Sequence, residues 1–273
     1  MGITAADVNK LRKQTGAGMM DCKNALVEAS GDFDNAIQIL RKKGQKVAAK
    51  RGDRDATEGA VISKTSSDGK TGVIVRLNCE TDFVAKNDSF IEFVTKIANI
   101  ALENNVQSLD ELKTMKFDEM TISEKIIEQT GVIGEKLDLS AFDRIESETV
   151  FGYIHPGNSV AALVGLNKEG RADEAKDVAM QVAAMSPLAL NREGISQDII
   201  DKEIELGKEM AIKEGKPAEM AEKIAMGRLN KFFKEVTLLD QQYIKDNKKS
   251  ISQYLEETES GLTVTDFKKF SLS

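Results

Sequence analysis

The chain has 273 residues, enough for about two domains at the usual ~150 residues each. Apolar residues make up 41% and charged residues 30%, and the longest clean apolar run, Val160 to Leu166, is seven residues, far short of the ~18 that a membrane span needs. The formal net charge of -7 argues against a general nucleic-acid binder, because such affinity rests on neutralising phosphates.

Thr4 is placed to cap a first helix carrying Val8 and Leu11, which Gly16 and Gly18 interrupt. Met19 opens a second helix with Cys22, Ala25 and Leu26 on one face. Gly31 ends it, and Asp32 or Asp34 starts a third in which Phe33, Ile37 and Leu40 repeat at helical spacing. Such a three-helix unit is near the lower size limit for an independent core. A basic linker is expected next, with seven Lys/Arg between residues 41 and 54. Residues 1–55 carry eleven basic and seven acidic side chains, a net of +4, against -11 for the remainder. That reversal of sign marks a domain boundary near residue 55. The linker reads as a solvated helix end; an RNA-touching patch is the sharper alternative, weakened by the absence of interleaved aromatics.

From Glu58 the apolar period changes to two. Ala60–Lys64 and Gly72–Cys79 flank an Asp68-Gly69 turn, the signature of a β-hairpin. Val73, Val75, Leu77 and Cys79 share one face of the second strand, and Ile74, Arg76 and Asn78 the other. A polar loop, residues 80–86, leads to a helix with Phe90, Phe93, Val94, Ile97 and Ile100, for which Ser89 and Glu92 offer a capping box. Residues 108–136 read as helical and 137–147 as extended. The plan then recurs: Val150–Ile154, a Pro156-Gly157-Asn158 turn, Val160–Asn167, and a helix from about Arg171 to Met185. A helical hairpin follows at about 196–232, turning at Gly215-Lys216-Pro217. Its stripes are Ile199, Leu206 and Met210, Ile200, Ile204 and Ala211, and Met220, Ile224, Ala225, Leu229 and Phe232. Extended runs near Val236–Ile244 and Leu262–Phe270 close the chain around a helix holding Ile251 and Leu255. The predicted class is α+β.

Catalytic chemistry finds no support. Two cysteines, Cys22 and Cys79, and one histidine, His155, cannot assemble a Cys/His zinc site. No G-x-S-x-G elbow and no G-x-x-x-x-G-K-[ST] phosphate loop occurs. Neither metal nor cofactor is expected. The amino terminus shows no basic segment followed by an apolar core, so a cytoplasmic protein with reduced thiols is expected. On residue type alone Phe83 belongs in a core, Asp82 in a turn, and His155 at a strand end. Met19 and Met20 fit either a helix-start core or an adaptable contact surface.

Three segments together resemble one family. Leu11-Arg12…Thr15-Gly16-Ala17-Gly18-Met19-Met20-Asp21-Cys22-Lys23 is similar to the amino-terminal signature of elongation factor Ts. Asn78-Cys79-Glu80-Thr81-Asp82-Phe83-Val84-Ala85 resembles its second signature, and Glu214-Gly215-Lys216-Pro217 the turn of its helical hairpin. The similarity runs in order over nearly the whole chain. It implies a guanine-nucleotide exchange factor for elongation factor Tu, performing no covalent chemistry. Such a factor binds the GDP-bound GTPase, displaces magnesium and promotes GDP release so that GTP can rebind. It also implies a module like a ubiquitin-associated domain (1–55), a core of two α+β parts (56–140 and 141–273), and a projecting antiparallel coiled coil at about 196–232. The family's role for Thr81, Asp82, Phe83 and Val84 is magnesium dislocation, the Phe83 ring entering between helices of the GTPase domain. Arg12, Met19 and Met20 are implied as a second contact, and His155 as a third near the magnesium side. Many family members continue into a Gly-Glu-Gly-containing tail that the run from Leu262 to Ser273 does not match. No membrane contact, direct nucleotide binding or strong nucleic-acid binding is expected. The rival readings are a non-exchanging interaction adaptor and a ribosome- or RNA-associated protein.

Overall fold

The computed structural model describes residues 2–272. It is a mixed α and β structure, and its amino-terminal part is three helices: α1 (Ala5–Thr15), α2 (Met19–Glu28) and α3 (Phe33–Arg51). Local chemistry explains their starts. The Thr4 hydroxyl accepts from the Asp7 N–H at 3.2 Å, while the Asp7 carboxylate accepts from the Thr4 N–H at 2.9 Å, a closed capping box. Asp32, rather than Asp34, caps α3 by accepting from the Asn35 N–H at 3.1 Å. Val8, Leu11, Cys22, Ala25, Leu26 and Ala36 form the small core. The expected basic linker is a correction: α3 continues through it to Arg51. Lysine and arginine are good helix formers, so charge density alone does not end a helix.

Among the described residues, two three-stranded antiparallel sheets and two short two-stranded hairpins follow. The first half contains β1 (Glu58–Thr65), β2 (Thr71–Cys79), α4 (Asp82–Ala85), α5 (Asp88–Glu103), α6 (Leu109–Thr114), β3 (Lys116–Phe117), β4 (Met120–Thr121), α7 (Ile122–Ile133) and β5 (Asp138–Glu146). The second contains β6 (Thr149–Ile154), β7 (Val160–Leu166), α8 (Ala172–Met185), α9 (Gln197–Lys213), α10 (Ala218–Val236), β8 (Gln242–Tyr243), β9 (Asp246–Ser250), α11 (Ile251–Thr258) and β10 (Val264–Ser271). The three-stranded sheets are ordered β1-β2-β5 and β6-β7-β10, so the β1-β2 and β6-β7 hairpins each contribute their second strand as the centre of a sheet, and β3-β4 and β8-β9 are the two short hairpins. The recurring plan seen in the sequence is thus repeated in topology.

The period-two pattern of β2 divides two cores. Val73, Val75 and Leu77 pack with Phe90, Val94 and Ile97 of α5. Ile74 faces the other way, joining Val61 and Ile145 against Val150, Ala161 and Leu163 of the second sheet. Beyond that sheet, Ala162, Val164 and Leu166 pack with Val178 and Val182 of α8. The layers are therefore helix, sheet, sheet, helix.

Several boundaries differ from expectation. Asn87, not Ser89, caps α5, accepting from the Ser89 N–H at 3.0 Å, because the helix already begins at Asp88. The helical stretch expected at 108–136 is split by the β3–β4 hairpin, whose turn residue Asp118 adopts φ 59°. Of the extended run expected at Val236–Ile244, only Gln242–Tyr243 is strand, and α10 reaches Val236. In the helical hairpin the expected Ile200, Ile204, Leu229 and Phe232 pack together at the foot, and farther out the seam is made of small residues. Gly207 and Ala211 of α9 and Ala221 and Ala225 of α10 are buried, and a Cβ on Gly207 would lie 3.0 Å from the Ala225 Cα. Close backbone approach leaves the flanking stripe of Leu206, Met210 and Met220 exposed instead of buried.

α3 crosses α7 at a pair of glycines. The position a Cβ would take on Gly131 is 2.3 Å from the Gly44 Cα. Arg41 reaches Glu128 of α7 beside this crossing at 3.8 Å.

Candidate functional site

The segment that joins β2 to α5 turns through the single helical turn α4, and its side chains divide sharply. Ala85 is buried and Val84 packs against the α5 core. Phe83, just before them, is 84% exposed. Exposing a whole phenylalanine forgoes roughly 1.5–3 kcal/mol of burial. Asp82 is half-buried and pairs with Lys86 at 2.6 Å, one helical turn on. Its hydrogen bond to the Lys86 ammonium and that group's charge hold the Asp82 carboxyl below its ordinary range, so it is an anion at neutral pH.

The turn is fastened on its incoming side. Thr81 donates both its backbone N–H (3.0 Å) and its hydroxyl (2.7 Å) to the Glu135 carboxylate on the loop before β5. Glu80 accepts from the Arg51 guanidinium through both oxygens at 2.8 Å, and from the Lys136 N–H at 2.6 Å. Arg51 is the last residue of α3, so the amino-terminal helices, the α7–β5 loop and the Phe83 turn meet at one junction. Buried Cys79 donates its thiol proton to the Thr81 carbonyl at 3.2 Å. Burial first, and the Glu135 charge second, push this thiol up to about 12, so it acts as a donor and not as a nucleophile. On the outgoing side the Asn87 N–H bonds to the Val84 carbonyl at 3.0 Å, where Asn87 caps α5. A four-residue helix has little stability of its own. These ties hold it.

The other sequence candidates lie elsewhere. Met19 and Met20, at the start of α2, are 55% and 61% exposed, which leaves the contact-surface reading and removes the core one. Arg12 is exposed in the last turn of α1. His155 is exposed at the β6–β7 turn, its Nδ1 3.1 Å from the Tyr153 hydroxyl.

The comparisons with known proteins agree with the signature residues. A family model described as elongation factor TS matches residues 80–273, beginning at the junction residue Glu80. The protein named elongation factor Ts of Christiangramia forsetii is 55% identical over 272 residues, covering 99% of this chain and 98% of its own length. That of Flavobacterium psychrophilum is 52% identical, with the same coverage. That of Chlorobaculum tepidum is 44% identical over 264 residues, covering 93% of this chain and 92% of its own.

The chain belongs to the elongation factor Ts family. Within this elongation factor Ts fold, the residues that sequence reasoning missed are Arg51, Glu135 and Lys136. Glu135 is 54 positions from Thr81, and Arg51 is 29 from Glu80, so no local pattern joins them. Their pairing with Glu80 has a pH consequence. The Lys136 N–H hydrogen bond, then the Arg51 guanidinium, hold the Glu80 carboxyl below its ordinary value of 4.5 against the opposing effect of burial. A carboxyl depressed on folding adds stability above its unfolded pKa and loses it as pH falls through the folded one. Wild type should therefore melt above Glu80→Gln at pH 7, and the gap should close as pH drops below 4.5. Melting curves of both proteins across that range check it; a gap constant with pH would remove the charge from the junction's stability.

Proposed function

We propose that the Phe83 turn is the element that opens the partner's nucleotide site. As a family member the protein is a guanine-nucleotide exchange factor for elongation factor Tu in translation elongation. The observation that carries the proposed mechanism is a phenylalanine left in water on a turn fastened at both ends. Exchange requires the factor to bind the empty GTPase more tightly than the GDP-bound one, and linkage makes the weakening reciprocal. Each tenfold needs about 1.4 kcal/mol of differential binding. Burying one phenylalanine ring supplies roughly 1.5–3 kcal/mol, provided that the partner offers the cavity only when its magnesium and phosphate contacts have shifted.

In this reading Phe83 enters between helices of the GTPase domain and magnesium is displaced. Asp82 accepts from the partner's donors, while Thr81 and Val84 fix the turn. Arg12, Met19 and Met20 make a second contact, from a module like a ubiquitin-associated domain spanning residues 1–55. His155 makes a third. The core divides between β5 and β6, a few residues beyond the expected 140, and the α9–α10 hairpin projects from its second part as an antiparallel coiled coil. The work is binding alone, with no covalent step, and takes place in the cytoplasm. Among the described residues no helix is long and apolar enough to cross a membrane. The deciding experiment follows release of fluorescent GDP from elongation factor Tu. Substoichiometric amounts of this protein should accelerate it; binding with unchanged release would make the protein an adaptor instead.

A further inference from the structure

A groove of about 560 Å3 lies at the foot of the α9–α10 hairpin, between α10 and the β8–β9 hairpin. Lys231 and Lys234 line it from α10, and Lys248 and Lys249 from β9. The stretch 231–249 holds five lysines and three carboxylates, a local +2 within a chain of net -7. The carboxylates of the groove are largely occupied. Asp240 is taken by Arg192 at 2.9 Å, and Glu235 lies 3.6 Å from Lys231 with both side chains in water. Lys249 is shared between Asp246 at 3.6 Å and Glu257 at 2.5 Å. Lys234 and Lys248, one on each wall, are exposed and have no carboxylate within ion-pair distance among the described residues.

The start of α11 also borders the groove, but its N–H groups are spent. Ile251 donates to the Gln241 carbonyl, Ser252 to that of Leu239, and Gln253 to the Ser250 hydroxyl. The anion-attracting groups are therefore ammoniums on two facing walls, suited to a ligand with several spaced negative charges. Exposed Gln242 and Asn247 add neutral hydrogen-bonding groups, and no aromatic ring lines the groove for base stacking. That composition fits a phosphate backbone read without regard to sequence. For a protein of translation, the abundant polyanion is RNA.

We propose that this groove binds the phosphate backbone of RNA. Contact through Lys231, Lys234 and Lys248 to a single strand gives a slope of about -0.7 per phosphate, so affinity should fall roughly 20-fold between 50 and 200 mM salt. The test titrates the full chain into a fluorescein-labelled oligouridine 20-mer by anisotropy over that range. The groove variant Lys231→Ala/Lys234→Ala/Lys248→Ala is compared with Lys116→Ala/Lys176→Ala/Lys202→Ala, an equal charge change at exposed lysines elsewhere. The groove variant should lose binding at least tenfold and its salt slope should shrink by about 2. The control should stay within about threefold of wild type, and both variants should keep the wild-type rate of stimulated GDP release. Equal loss in the two variants, or no binding by wild type at 50 mM salt, overturns the proposal. Competition by inorganic tripolyphosphate as effective, per phosphate, as unlabelled RNA would reassign the groove to small polyphosphates.

Discussion

Phe83→Ala should slow stimulated GDP release from elongation factor Tu about ten- to hundredfold, while the variant's own melting temperature moves by no more than about 2 °C. The first figure follows from losing roughly 1.5–3 kcal/mol of ring burial that is gained only in the complex. The second follows from the ring's exposure. A surface substitution is usually worth less than about 0.5 kcal/mol, and 1 kcal/mol shifts a chain of 150–250 residues by roughly 2–4 °C. Neighbouring Val84 would confound the measurement because it packs on the α5 core; Phe83 does not. Fluorescent-GDP release and a thermal melt on the same preparation decide the matter. A large drop in melting temperature would put the ring in the fold's own core, and unchanged release would remove it from the mechanism.

At the α3–α7 crossing two similar-looking substitutions should behave oppositely. A Cβ on Gly131 would stand 2.3 Å from the Cα of Gly44, 3.2 Å from its N and 3.4 Å from its carbonyl carbon. All three are backbone atoms, so no side chain can swing aside and the helices must part. Overpacking of this kind costs about 1–3 kcal/mol, offset by up to ~1 kcal/mol of helix propensity when alanine replaces glycine. A Cβ on Gly44 would meet nothing nearer than 3.5 Å, an ordinary contact. Gly131→Ala should therefore lower the melting temperature by several degrees and expose α3 to limited proteolysis. Gly44→Ala should be neutral or mildly stabilising. Because α3 ends in Arg51, which grips Glu80 ahead of the Phe83 turn, Gly131→Ala should also reduce exchange, by a smaller factor than Phe83→Ala. Equal melting temperatures for the two glycine variants would show that the crossing is not tight.

What the sequence made legible was local. Thr4, Asp32, the Asp68-Gly69 turn and the two-residue period of β2 each act over a few positions, and each lies where its pattern indicates. Phe83 was a harder case: its residue type argues for burial, and only the surrounding signature argued otherwise, in agreement with the exposure found. The errors have two causes. The Arg51–Glu80 and Thr81–Glu135 contacts and the closest approach of α9 and α10 are set by chain segments far apart in sequence, whereas the end of α3 and the Asn87 cap were missed on local grounds, helix propensity and a competing cap. Hydrophobic periodicity placed Ile200, Ile204, Ala211, Ala225 and Leu229 in the seam, where they lie, but also the larger Leu206 and Met210, which do not. Gly207 and Ala225 allow the closest backbone approach, so the bulky side chains flank the crossing.

The two sheets, ordered β1-β2-β5 and β6-β7-β10, set equivalent places side by side. In the first half the exit from the central strand is lengthened into a turn that displays an aromatic ring. In the second, the corresponding exit at 167–171 is tied to the end of α11, with Lys168 and Arg171 both pairing with Glu259 at 2.9 Å. A repeated frame thus carries one armed corner and one fastened corner, so two sheets of like order present unlike surfaces at corresponding places.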